Sequence, residues 1–364
     1  MSPPIRRTKD WLDNAYDMII DVRSESEFAE DHIPGAVSMP VLNDRERDEI
    51  GTMYKQVGAF EAKRRGASLV ARNIALHIEA GLGDQTRDFS PLVYCWRGGQ
   101  RSGAMARILS EIGWKVTLME GGYKTYRKAI LDGLDDLPPA LRVIMLRGRT
   151  GTAKTRILRA ASIAGAQVID LEGLANHRGS LLGPEPGLSQ PSQRQFESYL
   201  FAAMRTLDPN RPVFIEAESN RIGDLHVPRA LWHRMRQAPA LRVTAPLDAR
   251  VAFLLADYDH IIAEPERLTP LLNWVVARIG HERVDAWRAC IDSADWQGFV
   301  TRVLEDHYDP AYDRSAASRQ HADLGELVLD SLDDTKIEAA ARDLAAHDWE
   351  PLGNTPNGLA GTPL

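Results

Sequence analysis

Cys95 stands in Leu92-Val93-Tyr94-Cys95-Trp96-Arg97-Gly98-Gly99-Gln100-Arg101-Ser102 and is one of two cysteines in the chain. An apolar run delivers the thiol into a glycine-containing turn, and a helix is predicted from about Ser102. Backbone N–H groups of such a turn, with the positive end of the following helix, make a concavity suited to an anion. Arg97 and Arg101 add full charges beside the sulfur. Surroundings of this kind lower a thiol from about 8.5 to about 3.5–7.5, so that thiolate is the main form at neutral pH. These residues predict a nucleophile, Cys95, in an anion cradle that includes Arg97 and Arg101. The alternative is a packing cysteine at a strand end, and two arginines and two glycines in the same short run argue against it. Cys290, in the helical stretch Trp287-Arg288-Ala289-Cys290-Ile291, is expected to be packing.

A second chemical motif follows the apolar run Val143-Ile144-Met145-Leu146. Gly148-Arg149-Thr150-Gly151-Thr152-Ala153-Lys154-Thr155 has the spacing of a P-loop, whose N–H groups cradle phosphates while its lysine reaches them and its hydroxyl can hold Mg²⁺. Gly148, Gly151, Thr152, Lys154 and Thr155 are the phosphate-binding candidates. Ala153 stands where the pattern has its last glycine, which costs freedom where the backbone must approach a phosphate. Phosphate binding is expected, and nucleotide hydrolysis does not follow from it. Glu216 and Glu218 end another apolar run, and Asp170 and Glu172 end a third. Each is either an Mg²⁺ ligand, direct or through water, or the salt-bridge partner of a nearby arginine. No motif fixes a metal.

To position these residues the chain must alternate strands with helices. Strands are predicted at 18–20, 37–39, 92–95 and 116–118, and helices at 25–31, 43–55, 59–80, 102–112 and from about 120. That alternation implies an α/β unit with a mainly parallel sheet covered on both faces. A boundary is expected near Asp135-Asp136-Leu137-Pro138-Pro139. A second α/β unit follows, with strands at 143–146, 168–171 and 213–216, a weaker one at 242–244, and mostly helix from 248 to about 346. The predicted domains are 10–135, 140–265, a helical extension over 266–350, and a disordered Gly/Pro/Thr-rich tail over 351–364.

Composition narrows the function classes. The chain has 364 residues, 44% hydrophobic and 26% charged, as expected of a globular protein with room for two cores. No apolar run approaches a membrane span, and Met1-Ser2-Pro3-Pro4-Ile5-Arg6-Arg7 lacks the apolar stretch of a secretion signal. Two distant cysteines make neither a disulfide framework nor a zinc pattern, which fits a reducing cytoplasm. The net charge of −7 disfavours nucleic acid, but 142–159 carries six basic residues and no acidic one, so an RNA or polyphosphate ligand stays open.

Residues 17–127 resemble a rhodanese domain through Asp21-Val22-Arg23-Ser24, Glu27-Phe28, His32-Ile33-Pro34-Gly35-Ala36 and the Cys95 loop, which is Cys-x5-Arg, one residue longer than usual for single-domain rhodaneses. The fusion of this unit to a P-loop domain resembles the tRNA 2-selenouridine synthase family. Gly51-Thr52-Met53-Tyr54-Lys55-Gln56, Glu120-Gly121-Gly122-Tyr123-Lys124, 170–180, Gln190-Pro191-Ser192-Gln193 and Glu216-Ala217-Glu218-Ser219 carry the likeness further. The resemblance implies a two-stage change at a wobble 2-thiouridine of tRNA. Geranyl diphosphate alkylates the sulfur, and selenium from selenophosphate then displaces the S-geranyl group. It implies that the P-loop holds the diphosphate, with Mg²⁺ an open addition and no tightly bound cofactor. Cys95 would carry selenium as an S-selanylcysteine, stabilised by Arg97 and Arg101. His177 and Arg178 contact RNA or diphosphate on this reading, or else belong to a solvated loop. The implied partners are tRNA, the two small molecules and the enzyme that makes selenophosphate, with no membrane.

Three other readings suit the same residues. A rhodanese-type sulfurtransferase coupled to a P-loop ATPase or kinase domain would carry persulfide on Cys95 and consume ATP. A Cys-x5-Arg phosphatase needs a general acid, for which the sequence offers no unambiguous aspartate. A non-catalytic nucleotide sensor has no use for Cys95.

Overall fold

The computed structural model of the chain describes residues 2–12, 15–178, 188–216, 219–317 and 321–349. They divide into two compact units, one of Met1–Leu134 with Pro191–Ala202 and one of Asp135–Gln190 with Ala203–Leu364.

In the first unit, strands β1 (Arg6–Thr8), β2 (Met18–Asp21), β3 (Val37–Ser38), β4 (Pro91–Tyr94) and β5 (Thr117–Met119) form one parallel sheet in the order β1-β5-β4-β2-β3. The central strand β4 is buried along its whole length, as its uninterrupted apolar run requires. Helices α1 (Glu25–Glu30), α2 (Asp44–Gln56), α3 (Ala59–His77), α4 (Gln100–Ile112) and α5 (Tyr123–Asp136) alternate with these strands. A reciprocal capping box between Asn43 and Glu46 starts α2. Ile20, Val22, Val93, Met105, Leu109 and Leu118 meet in the core. Strand β1 was not expected, because Arg-Arg-Thr has no apolar period; its pairing with β5 makes it a strand.

In the second unit, strands β6 (Arg142–Arg147), β7 (Gln167–Ile169) and β8 (Pro212–Ile215) are followed by a small hairpin of β9 (Arg221–Ile222) and β10 (Leu225–His226), then by β11 (Ala240–Thr244) and β12 (Asp323–Val328). The main sheet is parallel in the order β12-β11-β6-β8-β7. Its helices include α6 (Lys154–Ile163), α7 (Leu171–Leu174), α9 (Arg229–Gln237) and α10 (Leu247–Asp257), and α8 (Gln193–Met204) comes between α7 and α9 in the chain. Helix α8 lies between β7 and β8 in the chain, yet its residues up to Ala202 pack in the first unit. There Ser198 Oγ and Tyr123 OH both donate to buried Asp31, at 2.7 Å each, and Gln195 Oε1 accepts from the His32 N–H.

Within 266–350, read above as a helical extension, α11 (Asp259–Ile262) leads into α12 (Leu268–Ile279), α13 (His281–Asp292), α14 (Trp296–Val303), a π-helical turn at Leu304–Tyr308 and α15 (Asp309–Ala317). Leu268, Leu272, Val275, Val284 and Trp287 form a core of their own. The remainder differs from the expectation. Strand β12 completes the parallel sheet, and α16 (Asp334–Ala346) buries Ile337, Ala340, Ala341 and Leu344 against Ile157, Leu158 and Ala161 of α6. The sequence Asp-Leu-Gly-Glu-Leu-Val is a weak strand former, and the exposed edge of β11 overrides its propensity. The tail expected over 351–364 lies outside the described residues. Among the described residues no helix is long and apolar enough to cross a membrane.

Candidate active site

Strand β4 ends at Tyr94 and delivers Cys95 to the head of the loop, where the residue is 3% exposed. Helix α4 starts at Gln100, two residues before the predicted Ser102, and leaves Ser102 buried beside the thiol. Ser102 Oγ donates to Cys95 Sγ at 3.1 Å. The loop rests on the turn before α5. The N–H groups of Tyr123 and Lys124 donate to the carbonyls of Cys95 and Trp96 at 2.8 and 3.2 Å. Gly98 and Gly122, both at positive φ, permit this contact of backbone on backbone. A Cβ on Gly98 would lie 2.6 Å from the Met119 carbonyl oxygen, and one on Gly122 only 2.1 Å from that of Cys95. Trp96 stacks on Tyr123, and the buried Asp21–Arg23 pair sets the Arg23 guanidinium 4.2 Å from the centre of the Tyr123 ring.

The two predicted arginines differ in their surroundings. Arg97 is exposed and lines an open basin of about 780 Å³ together with Cys95, Trp96 and Gly99. Arg101 lines the same basin but is held by Glu27, to which it donates at 2.7 and 3.3 Å. Burial pushes the Glu27 carboxyl up; its bonds from Arg101 and the Ser24 N–H, with the charge of Arg47, outweigh that and hold it below its ordinary value. Part of the charge that the sequence assigned to the thiol is therefore spent on Glu27. The closest side-chain donor to the sulfur is the neutral Ser102, whose role the sequence reading missed. Its signal was its place in the first turn of the helix after the thiol loop.

The phosphate loop follows β6, the middle strand of the second sheet, and enters α6. Gly148 is required because a Cβ there would stand 2.4 Å from the Val243 carbonyl oxygen, and Gly151 because one would press on Leu254 at 2.9 Å. Ala153 occupies the left-handed region at φ 58°, the conformation for which the pattern has glycine, and its methyl is buried in the core. Lys154 Nζ donates to the carbonyls of Gly148 and Arg149 at 2.7 and 3.3 Å, which curls the ammonium over its own loop. Thr152 is 2% exposed and its hydroxyl donates to the Arg149 carbonyl, so its side chain braces the loop. Buried Arg250 donates to the Thr150 carbonyl at 2.9 Å and pairs with Asp309 at 2.6 and 2.9 Å. The basic run 142–159 is largely paired: Arg149 with Asp313, Arg156 with Asp334 and Arg159 with Asp170.

The carboxylate candidates separate. Asp170 caps α7, accepting from the Gly173 N–H and from Arg159, so its role is the salt bridge. Glu172 and Glu216 converge on the Thr155 hydroxyl, at 3.2 Å for Glu172 and closer for Glu216. One hydroxyl proton serves one carboxylate at a time, so the three-way contact needs a proton on a carboxyl group or a cation in its place. Burial and the charge of Glu216 push Glu172 up to about 8 against the pull of Lys154, and burial raises Glu216 as well. Two carboxylates and a hydroxyl beside a phosphate loop are hard oxygen donors that fit Mg²⁺ completed by ligand oxygens. Among the described residues no group of three or more His, Cys, Asp or Glu is placed to hold a metal by itself. Glu218 lies outside the described residues. His177 is 8% exposed and burial holds its imidazole below the ordinary value, while Arg178 bonds the Asp257 carboxylate and carbonyl and lies over the Tyr258 ring. Both line the 310 Å³ pocket of the phosphate loop, which rules out a merely solvated loop.

The family model described as the tRNA 2-selenouridine synthase AAA domain matches residues 141–331, and the rhodanese-like domain model matches 6–129. Curated relatives named tRNA 2-selenouridine synthase include one from Marinobacter nauticus, 32% identical over 340 residues that cover 85% of this chain and 90% of the relative. One from Nitrosomonas europaea is 35% identical over 246 residues, 66% of this chain and 63% of the relative. One from Shewanella halifaxensis is 32% identical over 325 residues, 81% of this chain and 87% of the relative.

Proposed function

The chain belongs to the tRNA 2-selenouridine synthase family, and from that premise we propose that it converts a wobble 2-thiouridine of tRNA to 2-selenouridine in two stages. The supporting observation is a pair of glycine-containing loops, each following an inner strand of its own parallel sheet. One carries a buried thiol and the other a lysine with two carboxyl groups.

In the first stage the uridine sulfur attacks C1 of geranyl diphosphate, the C–O bond breaks, and diphosphate leaves with the bonding electrons. Loop N–H groups, Lys154 and Thr155 hold the departing diphosphate where its negative charge grows. A Mg²⁺ ion would be held by Thr155, Glu172 and Glu216 and would supply further neutralisation of the leaving group's charge. Alkylation is what makes the sulfur able to leave.

In the second stage the selenium of selenophosphate attacks C2, the C2–S bond breaks and geranyl thiolate departs; water then cleaves the Se–P bond and releases phosphate, leaving selenium on C2. Selenium in selenophosphate is already at the selenide level, so the exchange balances without a redox partner. Storage on Cys95 as S-selanylcysteine would need a two-electron oxidant for loading and a thiol reductant for release. Cys95 with Ser102 and the loop N–H groups is the place where the selenium anion is held. The variants Cys95→Ala and Lys154→Ala test this division of labour. Cys95→Ala is expected to accumulate S-geranyl-2-thiouridine in tRNA, and Lys154→Ala to leave 2-thiouridine unmodified. ATP-dependent sulfur transfer from thiosulfate with neither product would favour the sulfurtransferase.

A further inference from the structure

The phosphate-loop pocket shares a wall with a second cavity of a different character. Thr150, Leu254, Tyr258 and Tyr308 line both spaces. Beyond them the second cavity is walled by Leu268, Leu272, Val275, Trp287, Phe299 and Val300, from the C-terminal helices of the same unit. Its polar contributors are few. The Trp287 indole N–H is already given to Asp306, and burial with neighbouring arginines keeps His307 below its ordinary value, hence neutral at pH 7. One wall is the π-helical turn Leu304–Tyr308, an irregularity frequent at functional sites.

An apolar cavity sharing a wall with a phosphate-loop pocket constrains the ligand. The ring nitrogens and exocyclic groups of a nucleobase would go unsatisfied against these walls, at the cost of buried polar groups without partners. A hydrocarbon chain has no such groups. The free space is about 90 Å³. That is a narrow space, since even one water-sized group needs about 10–15 Å³ of it, so it sets an upper limit on the chain it admits.

We propose that this cavity is the prenyl-tail site, so that the phosphate loop and the C-terminal helices together select a prenyl diphosphate of about ten carbons over both nucleotides and longer prenyl chains. The proposal rests on the prenyl diphosphate reading of the P-loop and assigns that reading its specificity-determining residues. Val300 lines the cavity without belonging to the helical core, so Val300→Phe fills the space with little effect on folding; Phe299→Leu enlarges it.

The test is calorimetric titration of the full chain and both variants with inorganic diphosphate, dimethylallyl, geranyl and farnesyl diphosphates, and ATP. Wild-type protein is expected to bind geranyl diphosphate at least tenfold more tightly than inorganic diphosphate or ATP. Val300→Phe should remove that advantage while inorganic diphosphate binds as before, and Phe299→Leu should move the preference toward the farnesyl chain. Tight geranyl diphosphate binding that both variants leave unchanged would overturn the tail site alone. Equal weakening of inorganic and geranyl diphosphate by Val300→Phe would overturn it too. ATP binding more tightly than every prenyl diphosphate would overturn the reading of the P-loop on which the proposal rests.

Discussion

At the thiol, the side-chain donor is a neutral hydroxyl, where the sequence points to arginines. Ser102 Oγ is 3.1 Å from the sulfur, whereas Arg101 is engaged by Glu27. A hydrogen bond to a charged acceptor is worth about 1.5–3 kcal/mol. Ser102→Ala should therefore slow the selenium step at least tenfold in single-turnover assays and leave geranylation unchanged. Glu27 has its own pH signature. Its carboxyl titrates below the ordinary value in the folded chain, so its pairing adds stability above the ordinary range near pH 4.3 and loses it as pH falls through the folded value. Glu27→Gln should lower stability at pH 7 by on the order of 1 kcal/mol, and the difference should shrink as pH falls below the ordinary carboxylate range, as thermal unfolding across that range would show.

Among the elements, the phosphate loop shows how an apparent defect in a motif is accommodated. A non-glycine residue in the left-handed region costs about 1–2 kcal/mol, which Ala153→Gly would recover. The same change forfeits a buried methyl, about 0.8 kcal/mol, and adds about 0.4–1 kcal/mol of unfolded-chain entropy. The terms nearly cancel, so Ala153→Gly should change unfolding free energy by less than about 1 kcal/mol. Arg250 is the opposite case. Its guanidinium is buried between the Thr150 carbonyl and Asp309, and Arg250→Met would strand a carboxylate at a cost of about 3–5 kcal/mol. Chemical denaturation should show that loss, with weakened diphosphate binding.

What could be read from the sequence follows the same physics. Strands β4 and β6 and the loops after them are local patterns, an apolar run ended by glycine, and they are present as read. Strand β12 and the segment of α8 that joins the first unit depend on partners distant in the chain, Arg242 with Glu326 and Ser198 with Asp31, which no local period encodes. The site was legible as residue types, but their sorting was not. Asp170 and Glu172 are two positions apart, and only the fold makes one a cap against Arg159 and the other a partner of Thr155.

For the molecule as a whole, each unit completes its own loop, and on the proposed two-stage route the product of the first stage is a covalently altered tRNA. Nothing but that RNA need pass from one chemistry to the other. Cys95→Ala and Lys154→Ala proteins, each inactive in forming 2-selenouridine alone, should form it when mixed, because one makes the S-geranyl tRNA that the other consumes. The central claim is that geranylation precedes and enables selenation. Its most direct test is mass spectrometry of nucleosides from 2-thiouridine tRNA incubated with the wild-type chain and geranyl diphosphate, with selenophosphate added only after a plateau. The expected result is S-geranyl-2-thiouridine that accumulates first and then disappears as 2-selenouridine forms. Formation of 2-selenouridine from selenophosphate without geranyl diphosphate would contradict it.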